Sequence, residues 1–204
     1  MDQSSRSWHH ADDRVLVDKV VVGTLDNNVY LVVCAGSAES VVIDASAEPD
    51  RILAMTAGTA VRAVLTTHGH WDHVGAAADV AAALPAPVYI GAEDADMSGL
   101  ASTLPLEPGP FPVGNLDLEI IATPGHTPGS RCIKIGHLIF TGDTLFPGGP
   151  GATQNPKAFN QIMESLDTTL FTQPDNTMIL PGHGLDTTIG IERPFVEEWR
   201  QRGW

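Results

Sequence analysis

Residues 66–73 read Thr-Thr-His-Gly-His-Trp-Asp-His, which puts His68, His70, Asp72 and His73 within six consecutive positions behind an apolar run. Imidazole nitrogens and carboxylate oxygens are the donors that hold zinc, iron and manganese, and packing alone gives no reason to cluster them. His68 and His70 flank Gly69, so in an extended loop both rings reach one side, and Asp72 and His73 leave the chain one step further on. One loop of this kind can serve two cations. Isolated histidines are more often hydrogen-bonded surface or core residues, but that reading accounts poorly for four donors in so short a stretch.

Further donors follow in order: His126 in Thr123-Pro124-Gly125-His126-Thr127-Pro128-Gly129, Asp143 in Phe140-Thr141-Gly142-Asp143-Thr144, and His183 in Leu180-Pro181-Gly182-His183-Gly184. Each sits among Gly and Pro at the end of an apolar run. Together with Asp44 in Val41-Val42-Ile43-Asp44, the series resembles the five-motif signature of the metallo-β-lactamase superfamily. The phrases from Thr123 to Ser130 and from Phe140 to Phe146 are most similar to its glyoxalase II-like (hydroxyacylglutathione hydrolase-like) branch, and the match runs over about residues 15 to 190. The resemblance implies an α/β fold, the four-layer αββα sandwich, with the metal site on loops at one edge.

Carried over position by position, the resemblance gives His68, His70 and His126 to one metal and Asp72, His73 and His183 to a second, with Asp143 as the bridge. It makes Asp44 the acceptor of a hydrogen bond that fixes the tautomer of a ligand histidine. The residues by themselves leave Asp44 open between that role and capping a helix that starts near Pro49. Three neutral imidazoles leave a coordination position free, as catalytic zinc sites do. Two cations about 3.5–4 Å apart lower the pKa of a shared water toward 7 and so provide hydroxide to attack a carbonyl carbon.

The expected function is therefore that of a dinuclear-metal hydrolase acting on a small-molecule thioester or related ester. Its cofactors are two divalent ions, zinc first, with iron and manganese also suited to the donor set. Asp72 and Asp143 are the expected catalytic carboxylates, and for Asp72 two roles stay open, ligand of the second metal and proton acceptor for the attacking water. Trp71, Phe111 and Phe146 are the apolar residues expected near the substrate pocket. No serine or cysteine nucleophile is needed, and no Gly-x-Ser-x-Gly elbow occurs. The alternatives are a persulfide dioxygenase-like enzyme with one iron on His68, His126 and Asp143, a lactonase, and a metal-dependent binding module without catalysis. The presence of His73 and His183 favours two metals.

Two departures from the glyoxalase II pattern bear on the substrate. Where that family reads Gly-Cys-Gly followed by Arg or Lys, this chain has Gly149-Pro150-Gly151-Ala152, without the cation that would meet glutathione. The chain also ends at Trp204, so the expectation is one domain over residues 1–204, with a polar tail over 1–14 and no added helical C-terminal domain.

The composition narrows the partners. Eleven Lys and Arg against 25 Asp and Glu give a net charge of −14, which repels nucleic acid phosphate. Residues 1–14 hold no apolar core of signal-peptide length and no run approaches a membrane span, so a cytoplasmic protein with no membrane partner is expected. Cys34 and Cys132, each inside an apolar segment, read as buried free thiols.

The ligands must be carried by the elements between them. Apolar β-branched runs predict strands over 15–22 and 29–34 with Asp26-Asn27-Asn28 as their turn, and a third over 40–43 ending at Asp44. A helix over 51–57 precedes a strand over 61–65 that delivers the chain into the ligand loop. An alanine-rich helix over 74–84 is stopped by Pro85 and Pro87, and a strand follows over 88–90. Residues 99–114, with Pro105, Pro108, Pro110 and Pro112, predict an irregular stretch, either a connector or a pocket wall. Strands over 116–122, 131–135 and 138–140 follow, with Gly136-His137 as a tight turn that leaves His137 exposed, while His9 and His10 lie in the polar tail. Beyond a Gly- and Pro-rich loop at 146–155, Phe159, Ile162, Met163, Leu166 and Leu170 fall on the core face of a helix over 156–170. A last strand over 177–180 and a helix over 193–202 carrying Trp199 complete the chain.

Overall fold

A computed structural model describes residues 6–203. Strand β3 (Asn27–Cys34) is buried along its whole length because both of its faces are covered. Tyr30, Val32 and Cys34 point to one side, where they meet Ile133 and Phe140 of a second sheet. Val29, Leu31 and Val33 point to the other, under the helices that carry Ile52 and Val80. This two-residue alternation is the pleat of a strand sandwiched between layers, and full burial of each such Leu, Ile or Phe side chain contributes about 1.5–3 kcal/mol.

The first sheet has seven strands in chain order: β1 (His10–Ala11), β2 (Val15–Val22), β3, β4 (Glu39–Ile43), β5 (Ala60–Leu65), β6 (Val88–Ile90) and β7 (Leu104–Pro105). The second contains β8 (Gly109–Val113), β9 (Leu116–Ala122), β10 (Arg131–Ile135), β11 (Leu138–Gly142), β14 (Met178–Pro181) and β15 (Thr187–Thr188), ordered β15-β14-β11-β10-β9-β8. A small hairpin, β12 (Leu145–Phe146) with β13 (Gly149–Pro150), joins neither ladder and rests on the second sheet, the Thr141 hydroxyl donating to the Leu145 carbonyl. Helices α1 (Pro49–Met55), α2 (Trp71–Val74), α3 (Ala77–Ala83) and α4 (Ala95–Ser98) belong to the first half, and α5 (Pro156–Ser165), α6 (Ile189–Glu192) and α7 (Val196–Arg202) to the second. Cys132, Ile139 and Ile179 face outward from the second sheet onto Ile162, Leu166 and Trp199. The layers are therefore αββα, as expected.

Some local expectations are corrected. Asn27 and Asn28 belong to β3 and not to the turn, which spans residues 23–26 with Asp26 at φ 53°. Their amides are used inside the fold: Asn28 Nδ2 donates to the carbonyls of Pro181 (2.9 Å) and Gly184 (3.0 Å). The proline-rich stretch contains β7 and β8, each the outermost strand of its sheet. Proline lacks an N–H but costs little on an edge strand, where one row of backbone groups is unpaired anyway. The alanine-rich helix starts earlier, at Trp71, and is divided at Gly75, where a Cβ would come 2.6 Å from the Ser46 carbonyl. The polar tail joins the first sheet: His10 pairs with Val17, and His9 Nε2 lies 2.6 Å from Asp186 Oδ2. Its residues 1–5, with Trp204, fall outside the described part. Cys34 and Cys132 are both buried and free. Among the described residues no helix is long and apolar enough to cross a membrane.

Candidate metal centre

Adjacent parallel strands bring their C-terminal loops side by side. β4 and β5 pair in parallel, as do β11 and β14. Asp44 follows β4, the His68–His70 loop follows β5, Asp143 follows β11 and His183 follows β14, so four of the motifs meet at one edge of the sandwich. The loop after β9 brings in His126.

Two clusters result. His70 Nδ1 lies 3.1 Å from His68 Nε2 and 2.9 Å from His126 Nε2. In the other, His183 Nε2 lies 3.2 Å from His73 Nε2 and 3.3 Å from Asp72 Oδ2. Asp143 stands between them, Oδ1 3.3 Å from His73 Nε2 and Oδ2 3.6 Å from His126 Nε2. Donors about 2.0–2.1 Å from one tetrahedral ion stand about 3.4 Å apart, the spacing of these pairs.

The outer ring nitrogens say why the inner ones face each other. His126 Nδ1 lies 2.7 Å from the Ala152 carbonyl and His183 Nδ1 2.9 Å from that of Leu25. A carbonyl only accepts, so both Nδ1 atoms carry the proton and both Nε2 atoms turn a bare lone pair inward. His73 Nδ1 donates to Asp44 Oδ2 at 3.0 Å. The Thr67 hydroxyl donates to the same oxygen at 2.7 Å and therefore accepts from His68 Nδ1 at 3.1 Å. The Nε2 lone pairs of His73 and His183 would repel at their separation without a positive charge between them. Asp143 Oδ1, buried with no hydrogen-bond donor, calls for the same charge. The donor set thus fits a pair of divalent ions.

The electrostatics agree. Burial, reinforced by the neighbouring imidazoles, holds His68 well below the usual histidine range. Burial likewise lowers His126. For His73 burial acts downward, but Asp44 and Asp143 outweigh it and raise the ring to about 10, so its surroundings favour positive charge. Asp143 would be raised by burial, yet the charge of the neighbouring His73 and the other surrounding histidines keeps it below the ordinary carboxylate value.

All seven predicted donors come together here. Asp44 is 2% exposed, accepts the Thr67 N–H at 2.7 Å and orients His73. It does not cap α1, which is preceded by Glu48 with no side-chain cap. Trp71, 70% exposed, sits between ligands, and the Phe146 ring lies 6.2 Å from that of His183. Phe111 instead packs edge-on against Tyr89 at 5.1 Å, on the inter-sheet core. His137 is an exposed turn residue, its ring 5.2 Å from His10 and apart from the cluster.

Two residues near the donors are not singled out by the sequence. Asn27, 2% exposed, donates to Asp72 Oδ2 at 3.0 Å, and its place next to an Asp-Asn turn signal hides it. Asp94 is fully buried and accepts from the Gly69 N–H (2.9 Å), the Thr127 hydroxyl (2.6 Å) and the Gly129 N–H (2.7 Å). Its signal is an acid shortly after strand β6, the pattern that marks Asp44.

Residues 22–183 match the metallo-beta-lactamase superfamily. The chain is 32% identical to the probable hydroxyacylglutathione hydrolase glo2 of Schizosaccharomyces pombe, an alignment covering 79% of this chain and 65% of that protein. Among solved structures it resembles ETHE1 from Myxococcus xanthus with a TM-score of 0.78 and 30% identity, over 87% of this chain and 81% of that one. TTHA1623 in a di-iron-bound form gives a TM-score of 0.72 and 35% identity, over 86% of this chain and 96% of that one.

Proposed function

The chain belongs to the metallo-β-lactamase superfamily, generally metal-dependent hydrolases, and from that premise we propose that it is a dinuclear-metal hydrolase cleaving a thioester or related ester. The observation that carries this reading is the pair of donor triples, His68 with His70 and His126 and Asp72 with His73 and His183, linked by a third in which Asp143 joins His68 to His73. His68, His70 and His126 would hold one ion, Asp72, His73 and His183 the other, and Asp143 would serve both, with zinc our first choice and iron the second. Such a pair of ions supplies Lewis acidity and a water acidic enough to ionise near neutral pH.

The chain's own groups do the rest. Asn27 fixes the Asp72 carboxylate at the rim of the cluster, where it would accept a proton. Ser130 is not a competing nucleophile: it is 3% exposed and its hydroxyl is 2.7 Å from that of Thr127. The likeness to the hydroxyacylglutathione hydrolase supports thioesters as the substrate class, and the acidic surface supports a small molecule over nucleic acid as partner.

The likeness to a di-iron-bound structure supports iron in place of zinc, and the second reading is an enzyme with a single iron on His68, His126 and Asp143. The Asp72, His73 and His183 donors lie 3.2, 3.3 and 3.5 Å from one another, close to the spacing one ion sets, and this second complete triple favours two ions. The test is a thioester panel including S-lactoylglutathione and a non-glutathione thioester, with nitrocefin beside it. Turnover of a thioester, abolished by chelator and restored by zinc, with no measurable nitrocefin turnover, is expected. Hydrolysis of nitrocefin at a comparable rate, or thioester turnover indifferent to chelator, would overturn the reading.

A further inference from the structure

We infer that Asp94, which lies outside the donor clusters, is a positioning residue that sets the metal affinity of the His68, His70 and His126 half by holding its two loops together. This rests on the proposal that the clusters bind metal. Asp94 follows β6, and no Lys or Arg among the described residues pairs with it; the nearby Arg131 pairs with Glu93 at 2.8 Å. A buried carboxylate without a cation is costly to keep, and the three short bonds it accepts must offset that cost.

Those bonds go to the backbone and hydroxyl neighbours of the ligands. Gly69 separates His68 from His70, and Thr127 follows His126, with Gly129 two residues beyond. Both glycines are pressed against Asp94: a Cβ would lie 2.7 Å from its carbonyl oxygen at Gly69 and 2.5 Å from its carboxyl carbon at Gly129. The spacing of His70 Nδ1 and His126 Nε2, 2.9 Å, is the spacing of two loops from different sheets, and Asp94 is bonded to each. The loops also meet where the Arg131 N–H donates to the Thr67 carbonyl at 2.8 Å. That tie reaches the first loop before His68 and the Asp94 bond to Gly69 reaches it after, so between them they fix that loop on both sides of His68 against the chain that follows His126.

The experiment measures cobalt and zinc affinity by chelator competition in two single-site backgrounds. His183→Ala leaves the triple-histidine site, and His126→Ala leaves the other. Asp94→Asn keeps the shape but turns an NH2 toward groups that themselves donate. We expect it to weaken metal binding by about tenfold to a hundredfold in the His183→Ala background, the usual scale for losing a group that orients ligands. In the His126→Ala background its effect should be under about threefold, well below that scale. Thr127→Val removes one bond and keeps the carboxylate, so it should give a smaller loss at the same site; if Asp94→Asn does not fold, this variant decides. Wild-type affinity in both variants, with only a lower melting temperature, would assign Asp94 to general stability and overturn the inference alone. A wild-type protein that binds no metal would overturn the metal reading first.

Discussion

The two halves of the cluster are held by different means. His68, His70 and His126 sit on loops, and their half is braced through backbone: Asp94 takes the Gly69 and Gly129 amides as well as the Thr127 hydroxyl. Asp72 and His73 sit on α2, whose turn already fixes the backbone, the His73 N–H bonding the His70 carbonyl at 3.0 Å. That half is braced through side chains instead, Asp44 on His73, the Leu25 carbonyl on His183 and Asn27 on Asp72. Asp72 and His73, on a helix, need only their side chains aimed, whereas His183, on the loop after β14, also has its chain held, the Asn28 N–H donating to the Gly182 carbonyl at 2.8 Å. Asp44 also reaches across, since Thr67 relays it to His68.

The largest effect belongs to the group both halves share. Asp143→Ala should lower metal content and thioester turnover together, turnover by about a hundredfold to a thousandfold. Wild-type turnover in that variant would dissolve the distinction between two halves of one centre. Next comes Asp44→Ala, which leaves the fully buried His73 without its acceptor. It should cost about 1–3 kcal/mol of stability and about tenfold to a hundredfold in affinity for the ion on the His73 side. A melting temperature equal to wild type would show that Asp44 orients nothing.

Acid should act on the half that holds His68 and His126. Ligation needs neutral rings, so protons compete with metal. Burial keeps His68 and His126 below the usual value, so they stay neutral through the ordinary histidine range, near 6.5, and take up protons only below it. Dialysis at about pH 4.5, two units below that reference, should strip the ions; full metal content afterwards would contradict a histidine-rich site. Smallest is Trp71→Ala. The side chain is 70% exposed, so stability should move by less than about 0.5 kcal/mol, while KM rises a few-fold if the ring meets substrate. An unchanged KM would remove Trp71 from the pocket.

The donors were legible in the sequence because a metal site needs particular atoms, and only His and the carboxylates place them in such numbers on one loop. The layers were legible because β-branched runs alternate with helical spacing. The braces were not. Asp94 is one of 25 acidic residues, and its partners are backbone amides with no sequence signature. Asn27 has the composition of a turn, yet its amide is spent on Asp72. The strands at 104–105 and 109–113 were hidden by proline, whose penalty depends on whether a strand lies at an edge, a property of the assembled sheet. Phe111 looked like a pocket wall for the same reason: once β8 is a strand, its ring is turned onto the inter-sheet core.

Metal content per chain decides whether the two halves hold one ion each. Elemental analysis of protein purified without added metal should give close to two divalent equivalents, falling toward one in His183→Ala. One iron per chain that His183→Ala does not reduce, in a protein that hydrolyses no thioester, would contradict the account.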